Sequence, residues 1–184
     1  MAFHHVAFAT PDMTTTHRFY TEAMGFELVK AVMAPTPQGG WAKHVFYDTG
    51  GNGLLAFWDL HIDRIDVVRG AISTDLGLPD WVNHLAFDAP SAECLDDARG
   101  RWLDLGFDVV EIDHGFCHSM YTVDPNGILV EWCHDTRALT DDERDRAAAV
   151  IDMAEPDRFD DPPQVTFHTA DPTRRPDWAT PVAV

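Results

Sequence analysis

Polar and apolar residues alternate through two short stretches, HVAFA (His5–Ala9) and HLAFD (His84–Asp88), the period-two pattern of a half-buried strand. Each is followed by a segment that reads as a helix, over residues 13–24 in the first case and 92–105 in the second. Thr or Asp is available as the first N-cap. Gly25 and Gly106 stand just past the helix ends, where a left-handed cap residue is wanted. A further strand follows each helix (27–33; 108–112), then a pair of strands around an Asn-Gly turn: 43–48 with 54–58, and 117–123 with 128–133. The pattern predicts β-α-β-β-β, twice.

Side-by-side comparison supports a duplication. HHVAFATPD (4–12) aligns with NHLAFDAPS (83–91), MGFELV (24–29) with LGFDVV (105–110), and KHVFYDTGGNGLLAF (43–57) with CHSMYTVDPNGILVE (117–131). This alignment puts His5 on His84, His44 on His118, Tyr47 on Tyr121, Asn52-Gly53 on Asn126-Gly127 and Phe57 on Glu131. The predicted organisation is a first module at 1–59, a linker at 60–80, a second module at 81–134, and a C-terminal segment at 135–184. That last segment opens with a helix carrying a capping box, Thr140-x-x-Glu143. It continues as a Pro- and Asp-rich stretch without periodicity, read as an extended tail that wraps the body or a partner subunit.

Glu131 closes the apolar run Ile128-Leu129-Val130. A carboxylate inside such a strand is costly unless it is paired or holds a metal. If the modules pack with pseudo-twofold symmetry, His5 and His84 converge and Glu131 joins them from a neighbouring strand. Two imidazoles and one carboxylate on one side of a cation suit non-haem Fe(II), or alternatively Mn(II), and leave three coordination positions open. Phe57, at the alignment position of Glu131, cannot ligate. His4 points the other way along its strand and is the weaker candidate, and Asp59 is the main rival for a fourth ligand.

Composition narrows the partners. The formal charge is −18 with only two lysines, a surface that repels nucleic acid and anionic membranes. No run of eighteen apolar residues is present, and the N-terminus lacks the pattern of a signal peptide. Three cysteines without CxxC spacing fit a reducing cytoplasm and argue against a disulfide framework. Hydrophobic residues make up 45% of the chain, enough to bury a core.

Across residues 3–134 the sequence resembles the vicinal oxygen chelate superfamily, whose members are built from paired βαβββ modules. Within it, IDHGFCHSMYTVDPNGILVE (112–131) resembles the signature of type I extradiol ring-cleavage dioxygenases through Ile112, His114, Met120, Tyr121, Asp124, Pro125, Gly127 and Glu131. The resemblance implies an α+β fold with a barrel-like sheet and a metal held by His5, His84 and Glu131. It also implies that His114 contacts substrate or oxygen, and that Tyr121 hydrogen-bonds near the bound substrate oxygen. The implied partners are a small aromatic diol and O2, and a homo-oligomer is expected.

One departure from that family stands out. Its acid/base histidine falls at Gly53 here, leaving His44, His61 and His118 as stand-ins. The aromatic residues Phe57, Trp58, Phe116 and Trp132 are candidates for an apolar pocket. Rival readings on the same scaffold are a fosfomycin thiol transferase-like enzyme, disfavoured by scarce lysine, and a glyoxalase-like enzyme, disfavoured by Phe57. A third is a metal-free drug-binding protein, which the negative charge would suit.

Overall fold

The computed structural model describes residues 3–51, 53–65 and 68–179. Strand β1 (His5–Ala9), helix α1 (Met13–Arg18) and strands β2 (Glu27–Pro35), β3 (Trp41–Asp48) and β4 (Leu54–His61) form the first module. Strand β5 (His84–Asp88), helix α2 (Ala92–Asp104) and strands β6 (Val109–Asp113), β7 (Cys117–Val123) and β8 (Leu129–Asp135) form the second. The strands make two separate mixed sheets, ordered β1-β4-β3-β2 and β5-β8-β7-β6, the second extended at its edge by β9 (Gln164–His168). The fold is therefore α+β, as the alternation pattern predicts.

Local chemistry explains the helix limits. Asp12 caps α1 by accepting from the amides of Thr14 and Thr15. The helix then widens into one π turn over Phe19–Ala23, closed by the Met24 amide on the Phe19 carbonyl. That turn buries Phe19, Tyr20 and Ala23 together. Ser91 caps α2. Gly25 and Gly106 take φ of 80° and 74°, the left-handed region where glycine carries no Cβ penalty.

The two modules share one core on their helical sides. Phe19, Tyr20, Tyr47, Leu55 and Phe57 from the first pack in one cluster with Leu95, Trp102, Met120, Ile128 and Val130 from the second. Polar bonds fasten the same junction: Trp102 Nε1 donates to the Ala23 carbonyl at 3.1 Å, and Arg101 to the Met24 carbonyl at 3.2 Å. The Asp-Pro-Asn-Gly turn is part of it. Asp124 is fully buried and accepts from Tyr20 Oη (2.9 Å), Asn126 Nδ2 (2.8 Å) and the amides of Asn126 and Ile128 (2.8 Å each). Asn126 Oδ1 in turn accepts from the Thr10 hydroxyl at 2.8 Å.

The C-terminal segment begins as expected with α3 (Asp141–Val150), whose capping box of Thr140 and Glu143 is formed in both directions. The stretch beyond it is tied to the body. Strand β9 pairs antiparallel with β6, Val109 opposite His168 and Asp113 opposite Gln164. Pairing covers the β6 edge, and an open edge is a template for aggregation. Glu111 reinforces the pairing, accepting from His168 Nε2 at 2.6 Å while also meeting His118 (2.9 Å) and Arg99 (3.2 Å). Burial alone would raise the Glu111 carboxyl, but these three partners hold it below the usual range. Further on, Arg175 lies over the Phe107 ring and Arg18 over Trp178. Truncation after Asp135 is therefore expected to destabilise the chain by about 2–3 kcal/mol, lowering Tm by roughly 5–10 °C in a thermal melt. An unchanged Tm would show that the tail contributes nothing to the folded body.

Candidate metal and substrate site

The open face of the second sheet, opposite the shared core, brings together His84, Glu131, Ser119 and Tyr121, with His114 beside them. Strand β5 pairs parallel with β8, so His84 lies opposite Leu129 and Ala86 opposite Glu131, all four on one face. Tyr121 on β7 lies directly opposite Glu131, and Ser119 one step away along the same face. Glu131 is almost wholly buried. Its Oε2 stands 3.2 Å from His84 Nε2, and its Oε1 accepts from the Ser119 hydroxyl at 2.6 Å. His114, in the turn before β7, places Nε2 3.1 Å from Tyr121 Oη.

The tautomer of His84 is constrained. Its Nδ1 lies 3.1 Å from the Trp81 carbonyl oxygen, which can only accept, so Nδ1 carries the proton. Nε2 then presents a lone pair towards a carboxylate oxygen. Two lone pairs facing each other at 3.2 Å need either a second ring proton or a cation between them. A ring N–H tied to a backbone carbonyl is also the usual support of a metal-ligating histidine. Tyr121 stays protonated: burial first, then the Glu131 charge, pushes its phenol well above the ordinary value, opposed in part by Ser119.

His5 is placed elsewhere. It lies on the open face of the first sheet, opposite Leu54, beside Phe46 and His44 at ring-centroid separations of 5.6 and 6.2 Å. His4 Nδ1 lies 2.7 Å from His5 Nδ1. Among the described residues no three His, Cys, Asp or Glu side chains cluster as a metal-ligand set. The expected convergence of His5 with His84 and Glu131 is therefore absent within one chain, because the modules meet through their helical sides and their open faces do not meet each other.

The internal alignment also slips by one residue. Since His5 lies opposite Leu54 and His84 opposite Leu129, the counterpart of Glu131 is Ala56, and Phe57 corresponds to Trp132. Likewise Phe46 corresponds to Tyr121, His44 to Ser119 and Trp58 to Cys133. A one-residue slip moves every side chain to the opposite face. Phe57 thus sits in the core, and Ala56, equally unable to ligate, occupies the open-face position. The slip arises because Asn-Gly occupies different positions in two connections of equal length, 49–53 and 124–128. Asn52 itself lies outside the described residues.

The register sorts the other candidates. Asp59 shares the Phe57 face and pairs with Lys43 and His61, each at 3.0 Å. His61 stacks on Trp41. His118 points to Glu111 on the helical side. Only His44, of the three stand-ins, shares a face with His5. It stacks on Trp58 at 3.7 Å, and its Nε2 is buried without a partner. Burial, then the neighbouring His5, lowers its pKa. At Gly53, where φ is 131°, a Cβ would meet the Phe3 carbonyl oxygen at 2.9 Å, so no side chain fits there. Of the aromatic candidates, Phe57 belongs to the core and Trp132 packs against it, while Trp58 and Phe116 are partly exposed. Ser119 was not among the sequence candidates. Its period-two spacing from Tyr121 was the available signal.

The sequence profile of the Glyoxalase/Bleomycin resistance protein/Dioxygenase superfamily matches residues 2–132. The chain belongs to that superfamily. Among solved structures, SMU.1112c superposes with a TM-score of 0.53 at 20% identity, covering 72% of this chain and 98% of that one. TnmS3, an antibiotic-binding protein from Streptomyces sp. CB03234, gives 0.50 at 15% identity, covering 74% and 97%. Lactoylglutathione lyase from Agrobacterium tumefaciens gives 0.48 at 22% identity, covering 71% and 91%. Among curated protein sequences none matches the chain. The superpositions on SMU.1112c and TnmS3 show the fold alone. Among the described residues no helix is long and apolar enough to cross a membrane.

Proposed function

We propose that this superfamily member is a divalent-metal-dependent enzyme, an extradiol ring-cleavage dioxygenase acting on a small aromatic diol with O2. The observation that carries the reading is the His84–Glu131 pair, an oriented imidazole lone pair against a buried carboxylate oxygen, with Tyr121 and His114 beside it. His84 and Glu131 supply two donors for the cation. The third is His5 from the open face of a second copy of the chain, so the working unit is a homo-oligomer. Exposed apolar side chains on both open faces, Val32 and Trp58 on the first sheet and Val123 and Val165 on the second, favour that burial. Bound there, Fe(II), or alternatively Mn(II), supplies Lewis acidity to the diol and redox capacity for O2.

The side chains supply the remainder. Tyr121, held protonated, donates a hydrogen bond to charge developing on a diol oxygen. His114, 3.1 Å from its hydroxyl and close to the surface, exchanges a proton with solvent. Partly exposed Phe116 lies beside His114, with ring centroids 6.3 Å apart, and offers an apolar contact for an aromatic ring.

A second reading is favoured by one observation: His84 Nε2 and Glu131 Oε2 already lie 3.2 Å apart, a direct contact that needs no metal, as in a metal-free binding protein. Metal analysis separates the two. Protein purified anaerobically should carry about one divalent ion per site, and His84→Ala should lose it. Loaded with Fe(II), the wild type should turn catechol or 2,3-dihydroxybiphenyl into a yellow product. A metal-free wild type that cannot be loaded would reverse the choice.

A further inference from the structure

We infer that Ser119 is a positioning residue that restricts Glu131 to a one-oxygen contact with the cation. The inference rests on the metal reading of the His84–Glu131 pair. Ser119 has no solvent exposure, and its hydroxyl donates to Glu131 Oε1 at 2.6 Å. A charge-assisted bond of that length is a strong one. The other oxygen, Oε2, faces His84. A glutamate side chain free at both oxygens can grip a cation with both, as carboxylates do elsewhere. Here Oε1 is engaged from the strand side before any ion arrives.

The consequence reaches the chemistry. With His84, one Glu131 oxygen and the His5 proposed to come from a second copy as donors, three positions of an octahedral ion stay open, the number that a two-oxygen diol and O2 require. A glutamate bound through both oxygens would take one of the three. The first module has no such arrangement, since His44 and Ala56 occupy the positions equivalent to Ser119 and Glu131. The hydroxyl is thus specific to the strand pair that carries the carboxylate.

The test uses Thr and Val at position 119, side chains of equal shape that differ by the hydroxyl. Co(II) is titrated into metal-free, full-length wild type, Ser119→Thr and Ser119→Val. Affinity is read by calorimetry, and coordination by the visible absorption of the bound ion. Wild type and Ser119→Thr should agree within about twofold and share one spectrum. Ser119→Val should shift affinity by about 10–100-fold, the range found when a partner of a metal ligand is removed, and change the spectrum. Equal affinity and an unchanged spectrum in Ser119→Val would overturn the role of Ser119 while leaving the metal reading intact. A wild type that takes up no Co(II) would overturn both. Ser119→Ala repeats the comparison if the melting curve shows Ser119→Val to be unfolded.

Discussion

On the proposed ring-cleavage reading, Glu131→Ala should abolish divalent-metal binding and reduce kcat/KM for a catechol by about a thousandfold or more, over 4 kcal/mol of transition-state stabilisation. The size follows from what one side chain does. Among the described residues Glu131 is the only carboxylate paired with His84 Nε2, and its counterpart in the first module is Ala56, so the duplicated fold offers no substitute there. Removing it also leaves Ser119 without its acceptor and frees His84 to turn towards solvent. Metal content and steady-state turnover of the Fe(II)-loaded variant are the measurements. Folding should survive, because deleting a buried carboxylate removes its desolvation cost along with its bonds. A variant that keeps a stoichiometric ion would place the cation elsewhere in the molecule.

Asp124→Ala should have the largest effect on stability, about 4 kcal/mol near pH 4.5. Four donors converge on this carboxyl, and each is left buried without it: Tyr20 Oη, Asn126 Nδ2 and the amides of Asn126 and Ile128. The bond from Tyr20 also ties the first module to the turn of the second. The cost depends on pH. Burial, the largest influence, pushes the Asp124 carboxyl up to about 6, against the opposing pull of its hydrogen-bond donors. A carboxyl whose pKa is higher folded than unfolded favours the fold most below its unfolded value of 3.8, and that contribution is lost as pH rises through about 6. The penalty of Asp124→Ala should therefore shrink by about 2 kcal/mol between pH 4.5 and pH 7. Urea denaturation of wild type and variant at the two pH values checks this, and a penalty that grows with pH would refute it.

Much of the site was legible along the chain because strands declare their faces by alternation. Glu131 stands out at the end of an apolar run, and His84 opens a strand that the repeat pairs with it. The two side chains lie 3.2 Å apart, without the His5 that the expected triad also needed. Tyr121 and His114 followed from family resemblance, and they too lie together, 3.1 Å apart. For Ser119 the period-two spacing from Tyr121 was the one signal, and a weak one, because a serine in a strand is chemically ordinary until a carboxylate is seen beside it.

Alternation, capping residues and glycine positions are short-range signals, each read within a few residues, and they determine the order of strands and helices in both modules. Gly25, Gly106 and the Thr140–Glu143 box are where local chemistry requires them. Three matters depended on contacts between distant segments. The pairing of β1 with β4 and of β5 with β8 sets which residue lies opposite which, and it replaced Phe57 by Ala56 as the partner of Glu131 in the repeat. The packing of the modules through their helical sides separated His5 from His84 and Glu131, because apolar burial is non-directional and rewards whichever faces cover the most surface. The pairing of β9 with β6 is of the same kind, since an aperiodic Pro-rich segment carries no local sign of the edge it will cover.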